Sequence, residues 1–249
     1  MTYLSLLVIL PVAAVLAKAF SGGPGTFWVA VSQPEAVAAL ELTLVCSLAV
    51  AVFNSIAGLV VAWVLVRDDF WGKSIVSSLI DLPFALPTVV AGLTLLSLYG
   101  PQSPLGVNVV GARVGIVVAL AFVTLPFAVR SVQPVLAQLD RETEEAAASL
   151  GASRTTVLRR LVLPAVAPAM LAGAGLSFAR GVGEFGSVVL VSGNVPYKTE
   201  VASSWIFSLS QSDDLAAAAA VSVVLIVISL VVLLSIGFFG RSLDRRPAA

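Results

Sequence analysis

Within the apolar stretch 165–191 four polar side chains recur: Ser177, Arg180, Glu184 and Ser187. On a helix they would share one side, and Arg180 and Glu184, four apart, could pair on one face. A charge inside a bilayer costs about 2.5–3.5 kcal/mol on insertion scales, so it marks a functional site by default. Two roles fit this stripe: a structural ion pair that fixes helix packing, or the lining of a path through the membrane. Gly175, Ala179 and Gly183 run beside it, a small-residue stripe against which another helix can pack closely. Enzyme chemistry has little to work with. The chain has no histidine and one cysteine, Cys46, so neither a metal-ligand cluster nor an intrachain disulfide is expected, and no catalytic residue is assigned. Cys46 reads as a small apolar residue inside a helix.

The elements that must carry this stripe belong to a membrane protein. Of 249 residues, 59% are hydrophobic and 11% charged, with a mean hydropathy of +1.04; a soluble domain has roughly 25% charged residues. Zero formal net charge gives no hint of a nucleic-acid partner. Six apolar segments, about 4–20, 38–66, 75–99, 113–136, 165–191 and 215–238, each approach the roughly 20 residues that a bilayer requires. Each is expected to be a helix, because backbone groups in lipid find partners only within their own segment. The first twenty residues read as a short first span, open to being the shortened end of a longer natural start, because no basic residue precedes the apolar run. Pro83, Pro87, Pro126 and Pro168 fall inside spans and should bend them.

Basic residues set the orientation. Placing the loop 138–164 in the cytoplasm puts Arg67, Lys73, Arg130, Arg141, Arg154, Arg159, Arg160, Arg241, Arg245 and Arg246 on that side, against Lys18, Arg113 and Lys198. Both termini are then cytoplasmic. The loop itself, "EEAAASLGASRTTVLRRLVLPA" at 144–165, has its own grammar. Asp140 can cap a helix with Glu142, Glu144 and Glu145 in its first turn, and Gly151 can end it. Ser153 caps a second short helix bearing Arg154, Arg159 and Arg160, and Pro164 opens the fifth span. Ala146, Ala147 and Leu150 give the first helix a small, shallow apolar face, too small to anchor it in a membrane and suited to a protein groove.

The spacing is more specific than the composition. Glu145-Ala146-Ala147, three residues, Gly151, nine residues, then Leu161-Val162-Leu163-Pro164 resembles the "EAA" loop of ABC importer membrane subunits, with Leu161 in place of the usual Ile. The resemblance implies an all-α membrane protein: a six-transmembrane-helix, type I ABC importer permease bundle with a cytoplasmic coupling helix. Residues 1–249 would form a single transmembrane domain, with the core permease region at about 38–238 and the coupling loop at about 138–164. Glu145, Ala146, Ala147, Gly151, Leu163 and Pro164 would be the residues through which an ATPase subunit drives the bundle. From the second span onward "DLPFALPTVVAGLTL", "LPFAVRSVQPVL", "SFARGVGEFGSVVLVSGN" and "YKTEVASSWIF" look like T-type subunits of sulfate/thiosulfate permeases. The W-type and molybdate permeases share the "ARxxGEFG" part. The implied partners are a W-type permease subunit, two ATP-binding subunits and an external sulfate-binding protein. ATP and Mg would be bound by the ATPase, with no cofactor in this subunit, and the setting would be a bacterial inner (plasma) membrane. On this resemblance Arg180 becomes a waypoint for a dianion, and Glu184 limits how tightly it is held, since a permeant ion must leave again.

Remaining signals are lesser. Asp81, near Ser77 and Ser78, and Asn54 read as helix-to-helix hydrogen bonders. Gly72-Lys73-Ser74 matches the end of a phosphate-binding loop, but the position five residues before Gly72 is Arg67 and no strand precedes it, so no ATP site is expected here. The rival readings are a molybdate/tungstate permease, an ATP-independent secondary anion transporter, which would need coupling-ion residues and inverted repeats, and an intramembrane enzyme.

Overall fold

The computed structural model describes residues 5–244. The start of the first apolar segment and the cytoplasmic placement of Arg245 and Arg246 lie outside the described residues. Among those residues every regular element is helical. A π-helical turn, Ser5–Ile9, leads into α1 (Leu10–Ala19). Then follow α2 (Gly23–Val31), α3 (Pro34–Arg67), α4 (Lys73–Ala85), α5 (Thr88–Tyr99), α6 (Arg113–Gln138), α7 (Arg141–Ser149), α8 (Arg154–Val157), a second π turn (Leu158–Val162), α9 (Leu163–Val182), α10 (Gly186–Val191), α11 (Ala202–Gln211) and α12 (Leu215–Asp244).

Four helical runs are long and apolar enough to cross a membrane: α3, α6, the continuous run Arg154–Val182, and Leu215–Phe238 of α12. Two bent pairs raise the number to six if each is one span: Leu6–Ala19 with Gly23–Val31, bent by 93°, and α4 with α5. The stretch between the first two apolar segments therefore contains α2, and that between the last two contains α11. The third segment is not one helix. Pro87 drives the residue before it out of the helical region, and Leu86 is extended with φ −85° and ψ 134°.

The fifth segment differs at both ends. It begins at Arg154 rather than at Pro164, so no separate short helix precedes it. The Leu163 N–H reaches back five residues to the Leu158 carbonyl, widening the helix by one residue just before the proline that has no N–H to give. It ends at Val182, and Gly183–Phe185 break the chain before α10. Pro83, Pro126 and Pro168 stay inside continuous helices.

The chain folds as two compact units. One combines residues 48–87, 121–181 and the end of α12. Its core is Ala62, Leu65, Val129, Val132, Leu136, Val162 and Val166, with Leu59, Trp63, Leu158 and Met170 packed around it. Asn54, fully buried, donates to Thr124 Oγ1 (2.8 Å) and to the Ala121 carbonyl (3.2 Å), the interhelical role expected of it. Gly175 meets Ile236 and Leu233 of α12, the close approach that small residues permit.

The other unit holds residues up to 47, 88–120 and 182–231. There α5 lies against α10: a Cβ on Gly92 would come within 2.9 Å of the Ser187 backbone. Thr43 Oγ1 accepts the first N–H of α11, from Ala202, at 2.8 Å.

A Cβ on Gly58 would stand 2.7 Å from the Ala128 Cβ, so Gly58→Leu should cost about 1–3 kcal/mol through overpacking of α3 on α6. Thermal unfolding in detergent should show a lowered Tm, whereas Gly25→Ala, with open space at its Cβ, should leave it unchanged.

Candidate functional site

The loop 138–164 is built as its residues dictate. Asp140 Oδ1 accepts the Glu142 N–H at 2.9 Å and caps α7. Gly151 takes φ +90°, and beyond the helix end the Gly151 and Ala152 N–H groups bond the Ala148 (2.9 Å) and Ala147 (3.0 Å) carbonyls. That double bond to the last turn is the standard glycine-ended helix stop, which needs the left-handed conformation glycine adopts freely.

What holds α7 in place is a pair of arginines exchanged between elements. Arg67, the last residue of α3, forms an ion pair with Glu144 of α7 and donates to the Leu139 carbonyl (3.3 Å) just beyond α6. In return Arg141, the first residue of α7, donates to the Val66 (3.2 Å) and Arg67 (3.1 Å) carbonyls. Those carbonyls end α3 without intrahelical partners, and a cation is favoured at that pole of the helix. The Arg67 and Glu144 side chains are only 10% and 20% exposed, so solvent screens their pairing weakly. On the next turn of chain, the Lys73 hydrogen bond to Asp69 (3.0 Å) holds that carboxylate below its usual range, helped by the charges of Lys73 and Arg141. After α7 the chain is pinned differently: Val157 and Val162 are buried, Val162 inside the α3–α6 core.

Between α3 and the loop lies a groove of about 760 Å³, lined by Trp63, Val64 and Arg67 on one side and Glu145, Ala148 and Arg154 on the other. Of the residues expected to couple, Glu145, Ala146, Gly151 and Pro164 are exposed, and Ala147 and Leu163 are half-buried. Leu150 stands 90% exposed at the end of α7, a bare knob.

The polar stripe is placed otherwise than its spacing implied. The helix that carries Ser177 and Arg180 ends at Val182, so the stripe does not run along one helix and Glu184 follows beyond its end. Glu184 sits buried in the break, where Oε1 accepts both the N–H (3.0 Å) and the hydroxyl (2.9 Å) of Ser187, itself fully buried. Ser203 Oγ donates to the Glu184 carbonyl at 2.7 Å. Ser177 is buried and donates to the Thr124 carbonyl at 3.1 Å. Arg180 is half-buried.

Sequence reasoning read Asp81 as a helix-to-helix bonder but missed its charged partner. Arg130 grips Asp81 with two nitrogens, Nε to Oδ1 at 2.7 Å and Nη2 to Oδ2, and reaches Ser77 and Gln133 as well. The signal was available: Asp81 stands eight residues after the start of α4 and Arg130 eight before the end of α6. Opposite charges at matched depth on two helices invite pairing. Asp81 is a helix-to-helix bonder, as expected.

Residues 54–248 match the family described as binding-protein-dependent transport system inner membrane component. The chain belongs to that family. Relatives extend the match to nearly its whole length. The sulfate transport system permease protein CysT of Salmonella typhimurium is 42% identical, covering 98% of this chain and 91% of its own. The protein of the same name from Synechococcus elongatus is 46% identical over 93% of this chain and 86% of its own. Among solved structures, a bacterial ABC transporter involved in the import of the acidic polysaccharide alginate superposes with a TM-score of 0.80 at 18% identity, covering 97% of this chain and 92% of that one. The MetNI methionine ABC transporter gives 0.65 at 18% identity, covering 84% and 96%. At that identity the two structures speak for the fold alone: that of a type I ABC importer permease, a multi-pass inner membrane protein. As a family member the chain is a non-catalytic subunit of a multi-subunit ABC system.

Gly151 is the position in the loop least able to change. Gly151→Ala must hold φ +90° with a Cβ, at a cost of about 1 kcal/mol. Amide exchange across 141–152 should speed up roughly fivefold, with exchange in the α3 core unaltered.

Proposed function

We propose that this chain is the T-type permease subunit of an ATP-driven importer of sulfate and thiosulfate, forming half of the translocation path. The observation that carries the reading is the identity of about two residues in five, over nearly the full chain, with proteins named as sulfate transport system permeases. The loop supports the mechanical half of it. Leu150 presents an apolar knob on a small-residue helix, and the arginine exchange ties that helix to the end of α3. A helix so held can pass on a push rather than swing freely.

In this account α7 is the coupling helix. Glu145, Ala146, Ala147 and Gly151 shape the part that enters a groove of the ATPase, while Leu163 and Pro164 lie within the lever that runs from Arg154 into the membrane. The partners are a W-type permease subunit, two ATP-binding subunits that hold ATP and Mg, and an external sulfate-binding protein. The loop and both termini face the cytoplasm in this reading, which the ten-to-three excess of basic residues supports. Arg180, in the last turn of α9, is the waypoint in the path, and Ser177, Glu184 and Ser187 are the other residues that the sequence assigns to that path.

The test is uptake of labelled sulfate by the complete transporter in proteoliposomes. ATP-dependent uptake should be suppressed by excess thiosulfate and only weakly by molybdate, and a photo-crosslinker in place of Leu150 should capture the ATPase subunit. Molybdate as the stronger competitor would reassign the cargo. A Leu150 crosslinker that never reaches the ATPase would remove the coupling role. Arg180→Gln in an assembled complex should reduce uptake at least tenfold, and undiminished uptake would reject the waypoint.

A further inference from the structure

The Arg130–Asp81 pair is poorly explained as a structural staple. Each partner lies about 12 Å along its helix from the end nearest the coupling loop, at 1.5 Å per residue, within a predominantly apolar segment. Yet the side chains are 29% and 44% exposed. Lipid cannot solvate such a surface, and ionisable groups within spans face the bundle interior or a water-filled cavity. The helix carrying Asp81 says the same. Ser74, Ser77, Ser78 and Asp81 fall at i, i+3, i+4 and i+7, one polar stripe along α4, and Ser74 and Ser78 are exposed. The face next to it on α4, with Ile75, Leu79 and Leu82, is exposed and apolar. A membrane helix with one wet face and one greasy face stands at a boundary between water and lipid or protein.

The geometry points to the polar stripe of α4 and Arg130 of α6 as the wall of the water-filled cytoplasmic half of the path, with Arg130 the cation that a divalent oxyanion meets on its way out. This deepens the sulfate-import reading and rests on it. Asp81 sets the strength of that encounter. It accepts from Nε and Nη2, while Ser77 and Gln133 take further donors (Nη2 to Ser77 Oγ 2.9 Å, to its carbonyl 3.0 Å). A guanidinium has five N–H groups, so one remains to offer. With Asp81 holding the fork, a passing dianion gains a contact without replacing a carboxylate, so it is recognised and released rather than trapped. Ser77, Ser78 and Ser74 line the remaining stretch toward the coupling loop with neutral hydroxyls.

Two experiments on the complete transporter in proteoliposomes test this. In the first, with Cys46→Ala and cysteine-free partner subunits, Ser78→Cys and Leu79→Cys are exposed to a charged, membrane-impermeant methanethiosulfonate from the coupling-loop side. Ser78→Cys should react at least tenfold faster than Leu79→Cys, and millimolar sulfate should slow it. Equal rates, or indifference to sulfate, would overturn the proposal. In the second, Arg130→Gln with Asp81→Asn removes both charges together, leaving none orphaned, and uptake per ATP hydrolysed should fall at least tenfold. An unchanged ratio would also overturn it. Failure of the wild-type complex to import sulfate would instead strike the cargo assignment, while leaving the thiol comparison to stand or fall alone.

Discussion

Everything mechanical in this chain depends on the exchange of two arginines where α3 meets the cytoplasmic loop. Arg67 leaves α3 to hold α7 by Glu144, and Arg141 leaves α7 to hold the terminal carbonyls of α3. Each supplies what the other element lacks. A helix end has carbonyls without partners, and a short solvent-exposed helix has little apolar surface with which to anchor itself. Nine residues of α7 would not stay folded alone. With the exchange they become an extension of a 34-residue membrane helix, and any force on Leu150 has somewhere to go.

Farther along the chain the same demand, that no backbone group in lipid be left unpaired, explains where irregular structure is allowed. The helix break at Gly183–Phe185 lies among buried side chains, and Glu184 turns its carboxylate on the N–H and hydroxyl of Ser187. Through these contacts Glu184 helps restart a helix. Ahead of Pro164 the widened turn at Leu158–Val162 keeps one continuous rod where two pieces joined at the proline were expected. That rod runs from the loop to Val182, which makes the second half of the loop part of the membrane lever rather than a hinge.

The legible parts were those whose signal is local. Asp140, Gly151 and the alanines between them fix α7 to within a residue, because caps and helix propensity act over one turn. The long spans α3, α6 and α12 followed from hydropathy. Of the breaks inside apolar runs, the bend at Pro87 was expected from the proline, but the one at Gly183–Phe185 was not, since Gly183-Glu184 changes no average over twenty residues. At Pro87 the proline acts through the residue before it, which leaves the helical region. Helices α2 and α11 hid behind Gly, Pro and Ser, which read as loop. The charged contacts, Arg67 with Glu144 and Arg130 with Asp81, join positions 77 and 49 residues apart. Only depth-matching of charges across segments could have proposed them, and Arg130 had been counted only toward the cytoplasmic excess of basic residues.

The claim that α7 moves as part of α3 is open to a direct distance measurement. Spin labels at Ser149→Cys and Val60→Cys, in the assembled transporter, can be followed by pulsed electron resonance with and without ATP. Rigid attachment predicts that their separation stays within about 2 Å, the scale of small shifts between packed elements, while distances from either label to the ATPase change. A separation that opens well beyond that on ATP binding, with the ATPase distances fixed, would show that the arginine exchange does not carry the force.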